Sequence, residues 1–256
     1  MSTAATTAVG TTTETCGLTR KQRFGAWLFP RMPITRFLFD QLRTELNCAG
    51  VRLRNSLVPS RRRALKQIRQ MHDIHANIAC GPRPLPGFVN LDLHRLAPEV
   101  IEWDCRWELP FKDASVTAAR VEHFVEHLEP REEVPAFLKA CLRVLKKGGV
   151  LRVIVPDAER YLYAYCRGDL SGFTELAVPA PFPADLPTRM DIVNHTFHQW
   201  HEHRWGYDFE TLAHRLRTNG FSDVERVCYQ RSLYATLGQD CENHAPYSLY
   251  VEARKP

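Results

Sequence analysis

The 256-residue chain contains no apolar run near the roughly 18 to 20 residues that span a bilayer, so no transmembrane helix is expected. Its N-terminus is rich in Ala and Thr and lacks the basic, apolar, small-residue order of a secretory signal. No two of its eight cysteines (16, 48, 80, 105, 141, 166, 228 and 241) form C-x-x-C, and the gaps between them are long. That excludes a zinc ribbon and a disulfide framework and points to reduced thiols in a cytoplasm. G-x-G-x-x-G is missing, which argues against a nicotinamide cofactor, and H-E-x-x-H is missing, which excludes a zincin site. One segment nearly lacks acidic residues: between 20 and 70, thirteen Lys and Arg face only Asp40 and Glu45. The segment holds more than the whole chain's net charge of +5, so the remainder is mildly acidic. Such a stretch either meets an anionic partner (lipid headgroups, nucleic acid, a phosphorylated glycan) or forms a solvated basic face.

What is present reads as one well-stocked core with an extension and a cap. Residues 1–18 form a low-complexity tail and 19–71 a basic helical extension. In the extension, Ile34, Leu38, Leu42 and Leu46 make a helical stripe over 34–47, and Ser60 is placed to cap a second helix over 61–71. From residue 72 onward the pattern changes. Short apolar strand candidates fall at 75–80, 87–93, 99–105, 115–123 and 149–157, the last apolar enough for burial on both faces. An amphipathic helix precedes that strand at 132–145, with Lys147-Gly148-Gly149 as its stop signal. A further helix spans 208–219, and two late strands, 224–230 and 248–255, predict an antiparallel pair at one edge. Strands alternating with helices predict an α/β fold with a mostly parallel sheet. Residues 158–207 fit this alternation poorly and read as a cap over the ligand crevice, which in open α/β sheets lies at the carboxyl ends of the strands.

Three features repeat at successive strand ends. Asn77-Ile78-Ala79-Cys80-Gly81 closes the first strand in a glycine turn, where backbone N–H groups can approach a ligand. Asp92, followed by Leu93, ends the second strand, where a carboxylate can accept from two ribose hydroxyls. Asp104-Cys105 ends the third, well placed beside an adenine ring.

The blocks NIACGPRPLPGFVNLD, WELPFKDASV, VEHFVEHL and FLKACLRVLKKGGVLRVIVPD, in that order, resemble class I S-adenosylmethionine-dependent methyltransferases. The closest pattern is a type 11-like bacterial subgroup whose first block reads N-I-G-C-G-x-x-P-x-P-G-W. HRWGYDFETLAHRLRTNGFSDVERV and FPRMPITRFLFDQLRTEL are similar to the same subgroup, so the resemblance covers roughly 27–255. It implies a Rossmann-like, doubly wound sheet with an antiparallel edge strand, in a methyltransferase domain spanning 72–256. It implies backbone at Ala79, Cys80 and Gly81 against the methionine part of S-adenosylmethionine and Asp92 on the ribose. It also implies Asp104 and Cys105 beside the adenine, and Glu122 and His123 near the transferring methyl. The chain departs from the family at Asn77, where an acid is usual, at Ala79, where a glycine is usual, and at Thr117, where an Asp is common. Asn77 can still hydrogen-bond the cofactor's ammonium group but adds no charge.

Methyl transfer to a hydroxyl needs a base, and histidine is the usual one near neutral pH. His123, His198 and His201 are the catalytic candidates, while His127 reads as structural. His195, His203, Asp157, Arg160 and Tyr161 are candidates for the acceptor site. The stretch NHTFHQWHEHRW admits a metal site, a base or simple packing, and no metal is assigned to it. The expected activity is methyl transfer to a small-molecule or glycan acceptor, at oxygen, in the cytoplasm, with peripheral membrane contact through 20–70 as a further possibility. The alternatives are an RNA methyltransferase using the basic arm and a non-catalytic S-adenosylmethionine-binding protein. Nucleic acid is the weaker partner, since N-P-P-[FYW] and a P-C pair are both missing.

Overall fold

The computed structural model describes residues 27, 29–168 and 186–256, so the expected tail and most of the Pro-rich part of the cap lie outside the described residues. The chain divides into two compact units, 1–44 and 45–256. In the first, Phe29–Arg31 is a 3-10 turn, and Arg31 donates to the Trp27 carbonyl at 2.7 Å while lying over its ring. Helix α1 (Arg36–Leu57) begins in this unit and continues into the second. It outruns the expected 34–47 because nothing before Pro59 breaks it. Helix α2 (Pro59–Ile68) starts at that proline, whose missing N–H is not needed in a first turn. The expected cap is corrected here: Val58 holds the N-cap position without a side-chain bond, and Ser60 lies inside the helix.

The second unit is built on a seven-stranded sheet. Its strands are β1 (Ile74–Ile78), β2 (Val89–Asp92), β3 (Val100–Glu102), β4 (Val116–Glu122), β5 (Leu145–Pro156), β6 (Ser222–Val227) and β7 (Ser248–Arg254). The order is β3-β2-β1-β4-β5-β7-β6. The pairs from β3 to β5 are all parallel, and β7 runs antiparallel to both β5 and β6. The mostly parallel sheet with an antiparallel edge is therefore present, with the reversed strand set one place in from the edge. The order turns back on itself between β1 and β4, which opens a crevice at the carboxyl ends of those strands.

The alternation of apolar and polar residues accounts for the covering helices. In α3 (Glu133–Val144), Val134, Phe137, Leu138, Cys141 and Val144 lie on one side and are buried in the main core with β1, β4 and β5. Lys147-Gly148-Gly149 does not end this helix, as its residue types suggest, but lies inside β5 at a register shift between β4 and β5. A Cβ on Gly149 would sit 2.9 Å from the Lys146 carbonyl and 3.1 Å from that of Thr117, so the strand approach itself requires glycine. After β5 come α4 (Ala158–Arg167) and α5 (Arg189–His198), the latter opened by a Thr188–Asp191 capping box. Helix α6 (Phe209–Thr218) is capped by Asp208, whose carboxylate accepts from Thr211 N at 2.8 Å. Among the described residues, no helix is long and apolar enough to cross a membrane.

Charge is also built into the sheet. Arg120, Arg152 and Glu252 are lateral partners across β4, β5 and β7, and all three are buried. Arg152 grips both oxygens of buried Asp240 at 3.0 and 2.6 Å and reaches Glu252 at 2.8 Å. It also donates to the carbonyls of Arg231 and Cys228. This network clamps the loop between β6 and β7 onto the sheet. The continuous apolar strand expected at 149–157 thus has one charged member, and that member holds the loop.

Candidate active site

The site starts where β1 ends. Ala79 has φ 53° and Gly81 has φ 53°, both left-handed. Gly81 adopts that conformation freely, whereas alanine does so at a cost of about 1–2 kcal/mol. Beyond the Gly81 backbone lies open space, since a Cβ there would meet nothing within 4 Å. Asp92, at the end of β2, accepts from Gly81 N at 2.8 Å through Oδ2 and from His94 N at 2.9 Å through Oδ1. One carboxylate thus fixes the glycine turn and the start of the next loop, and Leu93 between them is half-buried. Cys80 is buried behind the turn, its thiol pushed up to about 12 by that burial.

Asn77 plays a different part from the one expected. Its Nδ2 donates to the Arg83 carbonyl at 3.1 Å and to Asn90 Oδ1 at 2.9 Å. Asn90 in turn exchanges bonds with the Leu85 N–H and carbonyl and donates to the Phe88 carbonyl. The two buried amides lock the PRPLP loop that follows Gly81, a pairing that an amide provides and a carboxylate at 77 would not. Asn90 was missed in the sequence because its partner looked like a ligand residue.

Asp104 is likewise engaged. It is buried, pairs with Arg106 at 3.0 Å through each oxygen and receives Arg52 at 2.5 Å. Burial alone would raise its carboxyl, but the Arg106 hydrogen bonds and then the Arg52 charge hold it below the usual carboxylate range. Cys105 is fully buried, and burial pushes its thiol well above the usual range. A cavity of about 440 Å³ reaches this end of β3, lined by Arg52, Leu65, Trp103, Asp104 and Trp107 among others.

At the end of β4 the structure gathers a cluster that sequence order had scattered. Glu122 accepts from His244 Nδ1 at 3.0 Å, from Arg120 at 2.6 Å and from Cys241 N at 3.4 Å. Burial opposes its ionisation, but the His244 hydrogen bond and the Arg120 charge take its carboxyl down to about 2. His123 follows with φ 51°, strained for a residue with a side chain. Its Nε2 lies 2.9 Å from Ser248 Oγ and its Nδ1 3.2 Å from Glu126. The His123 and His244 rings are 4.4 Å apart, and Tyr247 lies within 5.8 Å of both. Tyr247 packs in turn against Tyr161 and Ile192. His244 and Tyr247 gave no signal in the sequence. They lie in a polar loop, and only the Arg152 clamp brings that loop over the sheet.

The remaining candidates lie around this centre. Asp157 is buried and accepts from Arg226 at 3.0 Å, and burial pushes its carboxyl up. Arg160 donates to the Pro246 carbonyl, tying α4 to the Tyr247 loop. His203 is buried and His195 half-buried, whereas His198 and His201 are exposed at the end of α5 and in the turn beyond. Helix α5 does not present these last two to the His123–His244 pair.

Residues 86–153 match the model of a family described as a methyltransferase domain, type 11. No curated protein matches the chain. Solved structures similar to it include a SAM-dependent methyltransferase from Archaeoglobus fulgidus, 16% identical over 78% of this chain and 94% of that one, with a TM-score of 0.43. Another is a possible histamine N-methyltransferase from Thermotoga maritima, 17% identical over 86% and 97%, with a TM-score of 0.43. A third is phosphoethanolamine N-methyltransferase 2 from Haemonchus contortus in complex with S-adenosylmethionine, 13% identical over 75% and 51%, with a TM-score of 0.39. At these scores the fold assignment rests on the strand order itself. Strand order and domain match together define a class, the Rossmann-like methyltransferases. The chain carries such a domain, and its cofactor is S-adenosylmethionine.

Proposed function

We propose that the protein methylates a hydroxyl group on a small-molecule or glycan acceptor, with His244 as the base. The observation that carries this reading is the Glu122–His244 pair at the end of β4. The carboxylate holds Nδ1, which fixes the ring and leaves Nε2 as the nitrogen for an acceptor proton. Glu122 acts as a positioning residue, and His123 and Tyr247 form the wall against which an acceptor would lie. When bound, S-adenosylmethionine supplies an electrophilic methyl carbon, and the protein supplies orientation. The open Gly81 turn and Asp92 are the residues that fit the cofactor. Asn77 and the Asp104 side chain are occupied by protein partners, so their expected cofactor roles lose support. The catalytic role expected of His198 and His201 passes to His244, because both are exposed away from the Glu122 carboxylate. Asp157, Arg160 and Tyr161 keep their place in the reading as supports of the acceptor wall.

The same reading includes peripheral contact with an anionic membrane through the basic segment. Leu38, Leu42, Leu46, Leu53 and Leu57 are exposed on α1 and fall within about 100° of helical arc. The RNA alternative is disfavoured because Arg52, Arg54 and Arg61 are paired with Asp104 and Glu102.

The test is methyl transfer from methyl-labelled S-adenosylmethionine to a panel of hydroxyl-bearing acceptors, with His244→Gln alongside. General-base catalysis contributes about 10²–10⁴-fold, so the variant should lose that much kcat while binding cofactor normally. A wild type that binds neither S-adenosylmethionine nor S-adenosylhomocysteine by calorimetry would overturn the reading. Equal turnover by wild type and variant would remove His244.

A further inference from the structure

The E-H-L turn and the His-rich stretch meet in a second cluster, which the proposed reaction does not use. Val125–His127 is a single helical turn after β4, and His203 lies just beyond the turn Gln199–His201. The two segments are docked through the backbone: the N–H groups of Arg204 and Trp205 both donate to the Glu126 carbonyl, at 2.7 and 3.3 Å. Between them points the Glu126 side chain. Glu126 is 1% exposed, and neither of its carboxylate oxygens accepts a hydrogen bond among the described residues. His123 Nδ1 stands 3.2 Å away but not in hydrogen-bonding geometry. A buried carboxylate in this state calls for a cation.

The flanking histidines are set to bind one. His127 Nδ1 lies 3.0 Å from the Glu202 carbonyl and His203 Nδ1 2.7 Å from the Thr196 carbonyl. A carbonyl only accepts, so each Nδ1 carries the proton and each Nε2 is left with its lone pair. A backbone carbonyl on the far ring nitrogen is the outer support that orients metal-ligating imidazoles. One ligand atom from each of Glu126, His127 and His203 lies within 4.8 Å of the others. The two rings meet edge to face, with centroids 4.8 Å apart.

We propose that Glu126, His127 and His203 bind one divalent transition-metal ion, with Zn²⁺ the best match to two imidazoles and a carboxylate. Mg²⁺ and Ca²⁺ are poor matches, since they require more oxygen ligands. Three protein donors leave one tetrahedral position to solvent. The ion fastens the turn after β4 to the segment that follows α5. The His-rich stretch has no zincin spacing of its own because two of the three ligands come from a turn far earlier in the chain.

A rival grouping, Glu122, Cys241 and His244, is less suited, because its carboxylate already accepts from His244, Arg120 and Cys241 N. The experiment separates the two. Full-length protein stripped with chelator is titrated with ZnCl₂ and with CoCl₂, and bound metal is counted by mass spectrometry. The expected result is one ion per chain, with tetrahedral d–d absorption from Co²⁺ and a rise in Tm on adding Zn²⁺. Outer-shell changes alone weaken metal sites by about 10–100-fold, so Glu126→Gln and His203→Ala should each weaken Zn²⁺ binding by about 100-fold or more. His127→Ala, at the half-exposed ligand, should do the same with the least disturbance of the core. Cys241→Ser should bind as the wild type does. The proposal is overturned if the wild type takes up no ion, if the ligand variants bind as tightly as the wild type, or if Cys241→Ser abolishes binding. No arm requires cofactor or acceptor, so the outcome is independent of the proposed methyl transfer.

Discussion

Asp92 combines two duties that are usually separate. Its carboxylate holds the Gly81 and His94 N–H groups, and it is the group proposed to receive the ribose hydroxyls. Asp92→Asn keeps the size but turns one acceptor into a donor facing an N–H. Hydrogen bonds to a charged group contribute about 1.5–3 kcal/mol, so S-adenosylmethionine should bind about 10–100-fold more weakly by calorimetry. Unchanged affinity would remove the ribose assignment. Glu122 makes a pH prediction. Its carboxyl falls from an ordinary value of 4.5 to about 2 on folding. A depressed carboxyl stabilises the fold fully above 4.5, and this contribution is lost as pH drops through 2. A shift of that size corresponds to something on the order of 3 kcal/mol. Urea unfolding followed between pH 4.5 and 2 should therefore show a shallower loss for Glu122→Gln than for the wild type. Parallel curves would mean that the pair with His244 and Arg120 does not form as described. At Ala79 the left-handed backbone explains why the related pattern has glycine there. Ala79→Gly should be neutral to stabilising by about 1 kcal/mol, since relieved strain and added chain entropy oppose each other.

At the scale of elements, the strands and the α3 face were legible because burial writes itself as apolar runs and helical spacing. The glycine turn and Asp92 were legible for a related reason: a strand end followed by glycine or an acid is a local pattern. What was not legible depends on pairing across the fold. Asn77 looked like a ligand residue until Asn90 was beside it, and Asp104 until Arg52 and Arg106 were. The Lys147-Gly148-Gly149 stretch has helix-stop chemistry, but the close approach of Thr117 and Lys146 carbonyls places it in a strand. Arg152 is the clearest case. Nothing local tells a buried strand arginine from an exposed one, yet this side chain is the anchor for Asp240, Glu252 and two loop carbonyls. Arg152→Met would leave two buried carboxylates without their partner. Breaking a buried pair from one side costs about 3–5 kcal/mol, to be read as a drop in the denaturation midpoint. The same variant should lower methyl transfer, because the released loop carries His244. A midpoint within about 0.5 kcal/mol of wild type, in the range of ordinary surface substitutions, would show that the clamp does not hold the loop.

For the whole molecule, the question is what the basic segment meets. Part of its charge is answered internally: Arg52, Arg54 and Arg61 face the acidic end of β3, and Arg106 returns the favour to Glu45. That leaves the leucine row on α1 with Arg36 and Arg43, whose contacts with Asp40 at 3.7 and 3.6 Å are exposed and weak. An apolar stripe bordered by cations suits an interface where acyl chains and anionic headgroups lie side by side, and each Arg near such a surface contributes about 1 kcal/mol. RNA would use the cations but not the leucines. Cosedimentation with phosphatidylserine-containing vesicles should therefore exceed that with phosphatidylcholine alone and decline as salt is raised. The double change Leu46→Glu with Leu53→Glu removes apolar contact and adds like charge to the membrane's own. It should reduce vesicle binding by about tenfold or more, which corresponds to about 1.4 kcal/mol, without altering Tm, since both leucines are exposed. Retention on RNA but not on vesicles, unaffected by the double change, would replace the lipid surface with nucleic acid as the partner of this helix.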